Sequence, residues 1–200
     1  MAKRIWCSVF LIVALCMFVS CDNEADEFQT LYNEMEGVWY ESSSKVVFSF
    51  DNQGEGYVID SNGYTPYSIT FYRNNDTIYI KYTFTSDGIK TSFEMPVEEI
   101  GESENKPEKL SDKPALVSGI SKIHDPNIVG SWGEADIYNS DGTGKSNLYI
   151  SGIYVLLDIN WSTDNGVLTR VFYKDGLAYK TIKSTYVIYE NDGYRWLKLF

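Results

Sequence analysis

Six Asn-Gly or Asp-Gly pairs divide most of this 200-residue chain into short segments. They are Asn62-Gly63, Asp87-Gly88, Asp141-Gly142, Asn165-Gly166, Asp175-Gly176 and Asp192-Gly193. Both residues of such a pair tolerate the positive φ angles that a two-residue hairpin requires. Between the pairs, apolar residues recur at every second position from Thr77 to Thr85 and again from Ile153 to Trp161. Long period-two segments joined by tight turns predict antiparallel sheet with one buried face.

The number and spacing of these segments predict an all-β fold. Roughly a dozen strand candidates follow one another without the intervening helices of an α/β fold. We predict an antiparallel meander, arranged either as one composite β-barrel or as two tandem small β-barrel or sandwich units. Pro96 marks the segment from Thr91 to Glu98 as an edge strand. A short N-terminal helix is predicted because Phe28, Leu31, Tyr32 and Met35 have helical spacing.

The composition excludes several other classes of protein. Apolar residues make up 44% of the chain and charged residues 22%, so the chain can bury a core and is not disordered. The net charge of −11 argues against binding nucleic acid through its phosphates. Only three Cys are present, which excludes a disulfide scaffold.

The first twenty residues have the pattern of a secretory signal. Lys3 and Arg4 precede an apolar stretch, from Ile5 to Val19, that is too short to span a membrane comfortably. The residues Phe18-Val19-Ser20-Cys21 resemble the lipobox of bacterial lipoproteins, in which the Cys is acylated with palmitate-type chains and becomes the new amino terminus. The resemblance implies that Cys21 binds the lipid membrane, since two or more acyl chains anchor a protein stably. Ordinary cleavage near Ser20 is the alternative.

An acidic segment, residues 22–27, follows Cys21. It resembles the export signal of Bacteroidetes lipoproteins, which implies a cell-envelope location on the outer face of the outer membrane; a solvated tether is the alternative. Cleavage before Cys21 removes two bases, so 28 acids face 15 bases and the net charge becomes −13. The single remaining Cys allows no intramolecular disulfide.

A weak internal repeat suggests two β units; chance similarity between β-rich segments is the alternative. Gly37-Val38-Trp39 recurs as Gly130-Ser131-Trp132, and each copy precedes a Gly-x-Gly turn, at residues 54–56 and 142–144. A Gly-x-Trp element after a short helical turn resembles the start of lipocalins and of the lipocalin-like domains of Bacteroidetes lipoproteins. The resemblance implies a lipocalin-like β-barrel in which Gly37, Trp39, Gly130 and Trp132 are structural and each Trp closes one end.

Composition and repeat together predict the domain boundaries. Residues 101–127 contain three of the five Pro and many charges, as is typical of a linker. The predicted segments are a signal peptide at 1–20, an acidic tether and helix at 21–36, β unit 1 at 37–100, a linker at 101–127 and β unit 2 at 128–200.

No pattern in the chain favours catalysis. His124 is the single histidine, which excludes a zinc site built from several His or Cys. Residues 139–146 match a phosphate-binding loop only in part, because Asn139 replaces a required Gly and the following segment predicts a strand instead of a helix. We therefore predict no enzymatic activity, no cofactor and no metal, with a carboxylate-based hydrolase as the least favoured alternative.

Aromatic residues, 16% of the chain, are the main functional signal. Large rings with a polar atom suit apolar ligands, sugars and protein partners. The candidate ligand contacts are Trp161, Trp196, Tyr79, Tyr149, Tyr154 and Tyr186; packing within the sheets is the alternative. In addition, Asp76-Thr77-Ile78 resembles the O-glycosylation sequon of Bacteroidetes, which implies a glycan on Thr77; an ordinary strand start is the alternative.

These observations give three functional hypotheses. The first is a non-catalytic outer-membrane lipoprotein that binds a small apolar ligand or a glycan. The second is a structural or assembly lipoprotein whose partner is another envelope protein. The third is the carboxylate hydrolase.

Overall fold

The computed structural model describes residues 24–86, 89–97, 107–116 and 123–200. Strands contain 66% of these residues, and one short helix, α1 (Glu24–Met35), precedes them. The all-β prediction and the predicted helix are thereby confirmed. Two antiparallel sheets are formed, and one of them is a nearly closed barrel. The predicted signal segment, Cys21 and the Asp87-Gly88 turn lie outside the described residues.

The first sheet has the spatial order β6-β5-β4-β3-β2-β1-β7. Its strands are β1 (Gly37–Glu41), β2 (Val46–Phe50), β3 (Glu55–Asp60), β4 (Gly63–Asn74), β5 (Thr77–Ser86), β6 (Ile89–Pro96) and β7 (Glu108–Ser111). Strand β6, which ends at Pro96, lies at an edge as predicted, where a missing N–H interrupts no ladder. Strand β7 falls within the segment predicted as a linker and pairs with β1.

The second sheet is an uninterrupted meander with the order β14-β13-β12-β11-β10-β9-β8. Its strands are β8 (Gly130–Trp132), β9 (Asp136–Tyr138), β10 (Thr143–Ile150), β11 (Ile153–Asp164), β12 (Val167–Lys174), β13 (Leu177–Asn191) and β14 (Tyr194–Leu199). Three predicted turns join its last four strands: Asn165-Gly166, Asp175-Gly176 and Asp192-Gly193. Both residues of each pair have positive φ, the conformation of type I′ hairpin turns.

The described residues divide into two compact units. Unit 1 contains α1, nearly all of strands β1–β7, and Tyr189–Gly193. Unit 2 contains the remainder of strands β8–β14, and Ser61–Gly63. The apolar face of α1 packs in unit 1, where Leu31 and Met35 join a core that includes Phe48, Phe50, Ile69, Ile80 and Tyr82. The core of unit 2 includes Ile128, Tyr138, Leu148, Ile159, Trp161, Leu168 and Phe172.

Each Gly-x-Trp element is fixed by the same hydrogen bond. The Trp39 indole Nε1 donates to the carbonyl oxygen of Met35 at 3.0 Å, and the Trp132 indole Nε1 donates to the carbonyl oxygen of Ile128. Both acceptor residues are fully buried. A cation also lies over each indole ring, since Lys109 Nζ is 5.0 Å from the Trp39 centroid and Arg195 Cζ is 5.5 Å from the Trp132 centroid.

The two Gly-x-Gly turns share a hydrogen-bond pattern as well. Gly54 N donates to the Asp51 carbonyl oxygen at 3.0 Å, and Gly142 N donates to the Asn139 carbonyl oxygen at 3.1 Å. The Trp and the turn are farther apart in unit 1 because the β1–β2 hairpin has five residue pairs and the β8–β9 hairpin has three. The sequence repeat therefore corresponds to a repeated local structure.

Replacement of Gly142 tests this turn. Gly142 has a φ of 83°, and a Cβ there would lie 2.3 Å from His124 Nε2, whose ring packs against Trp161 with centroids 5.0 Å apart. Gly176, in the same unit, has a φ of 78° and open space around it. Both Ala variants bear the backbone cost of about 1 kcal/mol. We expect Gly142→Ala to lower the free energy of unfolding further, as measured by urea denaturation.

The double variant Gly142→Ala/His124→Ala identifies the cause of that extra loss. Removal of the ring removes the clash, so the double variant is expected to lose less stability than the sum of the two single variants. Equal losses for Gly142→Ala and Gly176→Ala would contradict the described packing of His124.

The carboxyl group of Glu41 makes the stability of unit 1 depend on pH. Burial acts to raise the pKa of this carboxyl group, but hydrogen bonds from Ser43 and Ser44 outweigh it and lower the pKa from 4.5 to about 2. The two backbone N–H groups donate at 2.7 and 2.8 Å, and the Ser44 hydroxyl donates too. Because the folded-state pKa is depressed, the stabilisation is complete above the unfolded-state pKa and is lost as the pH falls from 4.5 through 2.

We expect the unfolding free energy of the Glu41→Gln variant to fall less than that of the wild type as the pH is lowered from 4.5 to 2. The difference in unfolding free energy between wild type and variant should be at most about 3 kcal/mol at neutral pH and should shrink as the pH approaches 2. Urea denaturation across this range measures it, with Glu55→Gln, an exposed acid of the same unit, as the control. A difference independent of pH would show that the carboxylate does not hold the turn.

Candidate functional site

The outward face of strands β10 and β11 is the candidate site. Side chains alternate across a strand, so one face of β10 carries the buried Ser146 and Leu148 while the other carries Lys145 and Tyr149. In the register of β10 and β11, four cross-strand pairs point outward: Thr143 with Asn160, Lys145 with Asp158, Asn147 with Leu156, and Tyr149 with Tyr154. We call these eight residues the outer row. Four pairs at alternate positions extend over about 20 Å.

A groove of about 560 Å³ lies over the polar half of the outer row. Its lining includes Asn139, Thr143, Lys145, Asp158, Asn160 and Tyr173. Strand β12 brings Tyr173 opposite Asp158, and the Asn160 Nδ2 donates to the Tyr173 hydroxyl at 3.1 Å. Amide, hydroxyl, ammonium and carboxylate groups on three adjacent strands therefore face one space, where both hydrogen-bond donors and acceptors are available.

Two exposed tyrosines form the other end of the outer row. Tyr149 is 60% exposed and Tyr154 73% exposed, and their ring centroids are 5.0 Å apart. They occupy directly opposed positions at the end of the β10–β11 hairpin. Cross-strand aromatic pairs stabilise a hairpin, but burial does not explain these two rings. Such rings are suited to stack against a ligand that approaches the sheet from outside.

The charges of the groove are solvated. Lys145 Nζ and Asp158 Oδ1 are 3.2 Å apart, and both side chains are more than half exposed, so the pair contributes little to stability and remains available to a ligand. At the rim, Asp141 Oδ1 accepts hydrogen bonds from the Thr143 hydroxyl at 2.7 Å and from the Thr143 N–H at 2.9 Å. These bonds lower the pKa of the Asp141 carboxyl group and fix the rim turn.

The structure separates the six predicted ligand-contact residues. It brings Tyr149 and Tyr154 together, and it places Trp161 and Tyr186 in the core of unit 2. Trp161 cannot reach an external ligand, because it is buried and its indole N–H donates to the carbonyl oxygens of Asn139 and Thr143. Tyr186 is also committed internally, since its hydroxyl donates to buried Asp125 at 2.7 Å.

The other predicted site residues lie apart from the groove. Trp196 is exposed on the edge strand β14, four strands from β10 in the sheet order. Tyr79 stacks on Tyr72 in unit 1 with centroids 5.4 Å apart. Thr77 is half-buried at the start of β5, next to the exposed Asp76.

The sequence patterns did not indicate that the groove residues come together. Asn160 and Tyr173 are thirteen positions apart, and they meet because the Asn165-Gly166 turn sets the β11–β12 register. This turn was predicted from the sequence. If the flanking strands are paired residue by residue from it, Asn160 and Tyr173 fall close together on the same face.

Comparison with known protein families, characterised proteins and solved structures finds no match to this chain. Within the described ranges, no group of three or more His, Cys, Asp or Glu residues is placed to hold a metal ion. No helix in those ranges has the length and apolar content needed to cross a membrane.

Proposed function

We propose that this protein is a non-catalytic, outer-membrane-anchored lipoprotein whose unit 2 binds a glycan along the outer row. The observation that carries the proposal is the continuity of exposed tyrosine rings with a polar groove on one sheet face. Rings supply flat apolar surface for the faces of sugars, and the groove supplies hydrogen bonds for hydroxyl groups. The length of about 20 Å suits an oligosaccharide better than a single sugar.

Charge narrows the class of glycan. The chain has a net charge of −11, so a polyanionic glycan would be repelled at long range. The ammonium group that Lys145 supplies to the groove already has Asp158 as a neighbour. A neutral glycan is therefore the favoured ligand.

Alanine substitution of the tyrosine pair tests the glycan proposal. We expect Tyr149→Ala/Tyr154→Ala to weaken binding to neutral oligosaccharides by about tenfold or more, because stacking on aromatic rings is worth roughly 0.5–1.5 kcal/mol per ring. Array screening followed by calorimetry with the best oligosaccharide measures it. Tyr194→Ala removes an equally exposed tyrosine elsewhere in unit 2 and should bind like wild type. Absence of neutral glycan binding by the wild type would refute the proposal.

Anchoring through Cys21 is tested separately. We expect Cys21→Ser to move the protein from the outer-membrane fraction to the soluble fraction and to remove the acyl mass from the intact protein. Cys16→Ser, a change within the same predicted signal segment, should leave both unchanged. An unacylated wild-type protein would indicate an ordinary cleaved signal peptide.

An envelope protein is the second candidate ligand of this face. Leu156 is 50% exposed in the outer row, two positions from Tyr154 on the same strand, and contiguous apolar surface is typical of a protein interface. Cross-linking in the native host distinguishes the two ligands. If Leu156→Ser abolishes a cross-linked protein while oligosaccharide binding by wild type is absent, the face is a protein interface.

A further inference from the structure

Arg170 is a buried cation that has no acidic partner among the described residues. It projects from β12 into the interior of unit 2 and is only 8% exposed. Its Nη1 and Nη2 donate to the hydroxyls of Ser146 and Ser184 at 3.3 and 3.4 Å, which are long hydrogen bonds. Its Nε has no acceptor in the part of the chain that the structure describes. No carboxylate of the described residues forms an ion pair with it.

Tyr138 lies beside this cation and is also incompletely bonded. Burial raises the pKa of its hydroxyl to about 12, although Arg170 and Ser146 both act to lower it. The phenol is therefore neutral at physiological pH and supplies no counter-charge. Despite that proximity, the hydroxyl oxygen makes no hydrogen bond of acceptable geometry. The charge of Asp136 also raises the pKa of Tyr138. The Asp136 Oδ1 accepts a hydrogen bond from the Asn147 N–H at 3.3 Å and forms no ion pair with Arg170.

Such an arrangement is costly for a protein that binds nothing there. A guanidinium group stays protonated throughout the physiological range. Burial of an unpaired ion costs several kcal/mol, and buried charges are normally paired. The groups that converge here can all donate: Arg170 Nε, the Tyr138 hydroxyl and the two serine hydroxyls. A set of donors around one positive charge is complementary to an anion.

The surroundings define the kind of anion. A carboxylate carries one negative charge, as Arg170 carries one positive charge, and its planar oxygens match the guanidinium fork. Apolar side chains flank the cation: the Phe172 ring centroid is 5.7 Å from Cζ, and Trp161 and Ile182 are its cross-strand neighbours. These neighbours favour an acid with an apolar tail.

We propose that the interior of unit 2 is a binding site for the carboxylate of an apolar acid, with Arg170 and Tyr138 as the residues that bind it. This site lies on the opposite face of the sheet from the outer row and does not depend on glycan binding. The ligand would supply the counter-charge that the described residues lack.

Octanoate is the probe. We expect it to bind the purified wild-type protein in calorimetry and to raise the melting temperature, while 1-octanol, which has the tail without the charge, binds at least about tenfold more weakly. Arg170→Met, which keeps much of the side-chain volume, should weaken octanoate binding by about tenfold or more. Lys145→Met removes a charge from the outer row and should leave octanoate binding unchanged.

Stability without ligand provides a second readout. Removal of an unpaired buried charge should leave Arg170→Met with a melting temperature equal to or above that of wild type. If this variant does not fold, Arg170 has a structural partner and the proposal fails. Tyr138→Phe, which deletes one hydroxyl, should weaken octanoate binding by about fivefold.

Three results would overturn the proposal: no binding of octanoate, equal binding of octanoate and octanol, or unchanged binding by Arg170→Met. Binding of acetate tests whether the ligand is an acid with an apolar tail or a small free carboxylate. Acetate binding as tight as that of octanoate would assign the site to small free carboxylates and overturn the requirement for an apolar tail.

Discussion

The hydrogen bond from a tryptophan indole to a carbonyl oxygen four residues earlier organises both units. It ties the helical turn that ends at Met35 to strand β1, and the turn that ends at Ile128 to strand β8. The bond requires the chain to reverse between acceptor and donor, and Gly37 and Gly130 permit this with φ angles of 128° and 137°. With the indole fixed, its ring packs with the core of its unit, and a cation from a later strand lies over it. From this first strand onward, each tight turn sets the register of the two strands that it joins.

The meander could be predicted because its determinants are local. Type I′ turns need two consecutive positive φ angles, and an Asn-Gly or Asp-Gly pair supplies them at low cost. Alternation predicted the faces of β5 correctly, since Ile80 and Tyr82 are buried. Strand β7 was not predicted, because four residues, Glu108–Ser111, carry little periodicity and pair with β1 through a long-range contact. The local sequence pattern therefore predicts the order of the strands, but it does not predict the pairing of β7 with β1 in the first sheet.

The candidate site was harder to predict because aromatic residues serve both faces of a sheet. Trp161 and Tyr154 lie on the same strand, yet an odd number of positions separates them, and one is buried while the other is exposed. Their parity relative to Ile159 distinguishes them, whereas residue type does not. The end of the hairpin adds a second difficulty. Ile153 has core parity but is 64% exposed, because alternation predicts burial only where another layer covers the strand.

Alternation also explains how one sheet can carry two chemically different sites. Lys145 and Ser146 are consecutive on β10, and the first faces the groove while the second faces Arg170. On β12, Arg170 points inward, and Tyr173, three positions later, points into the groove. A solvated ion pair outside costs little to maintain, whereas an unpaired guanidinium inside is expensive. The outer face therefore tolerates an absent ligand, and the inner face does so only at the expense of stability. Since the fold nevertheless buries Arg170 among donors and apolar side chains, the inner site is the one whose geometry depends most on a ligand.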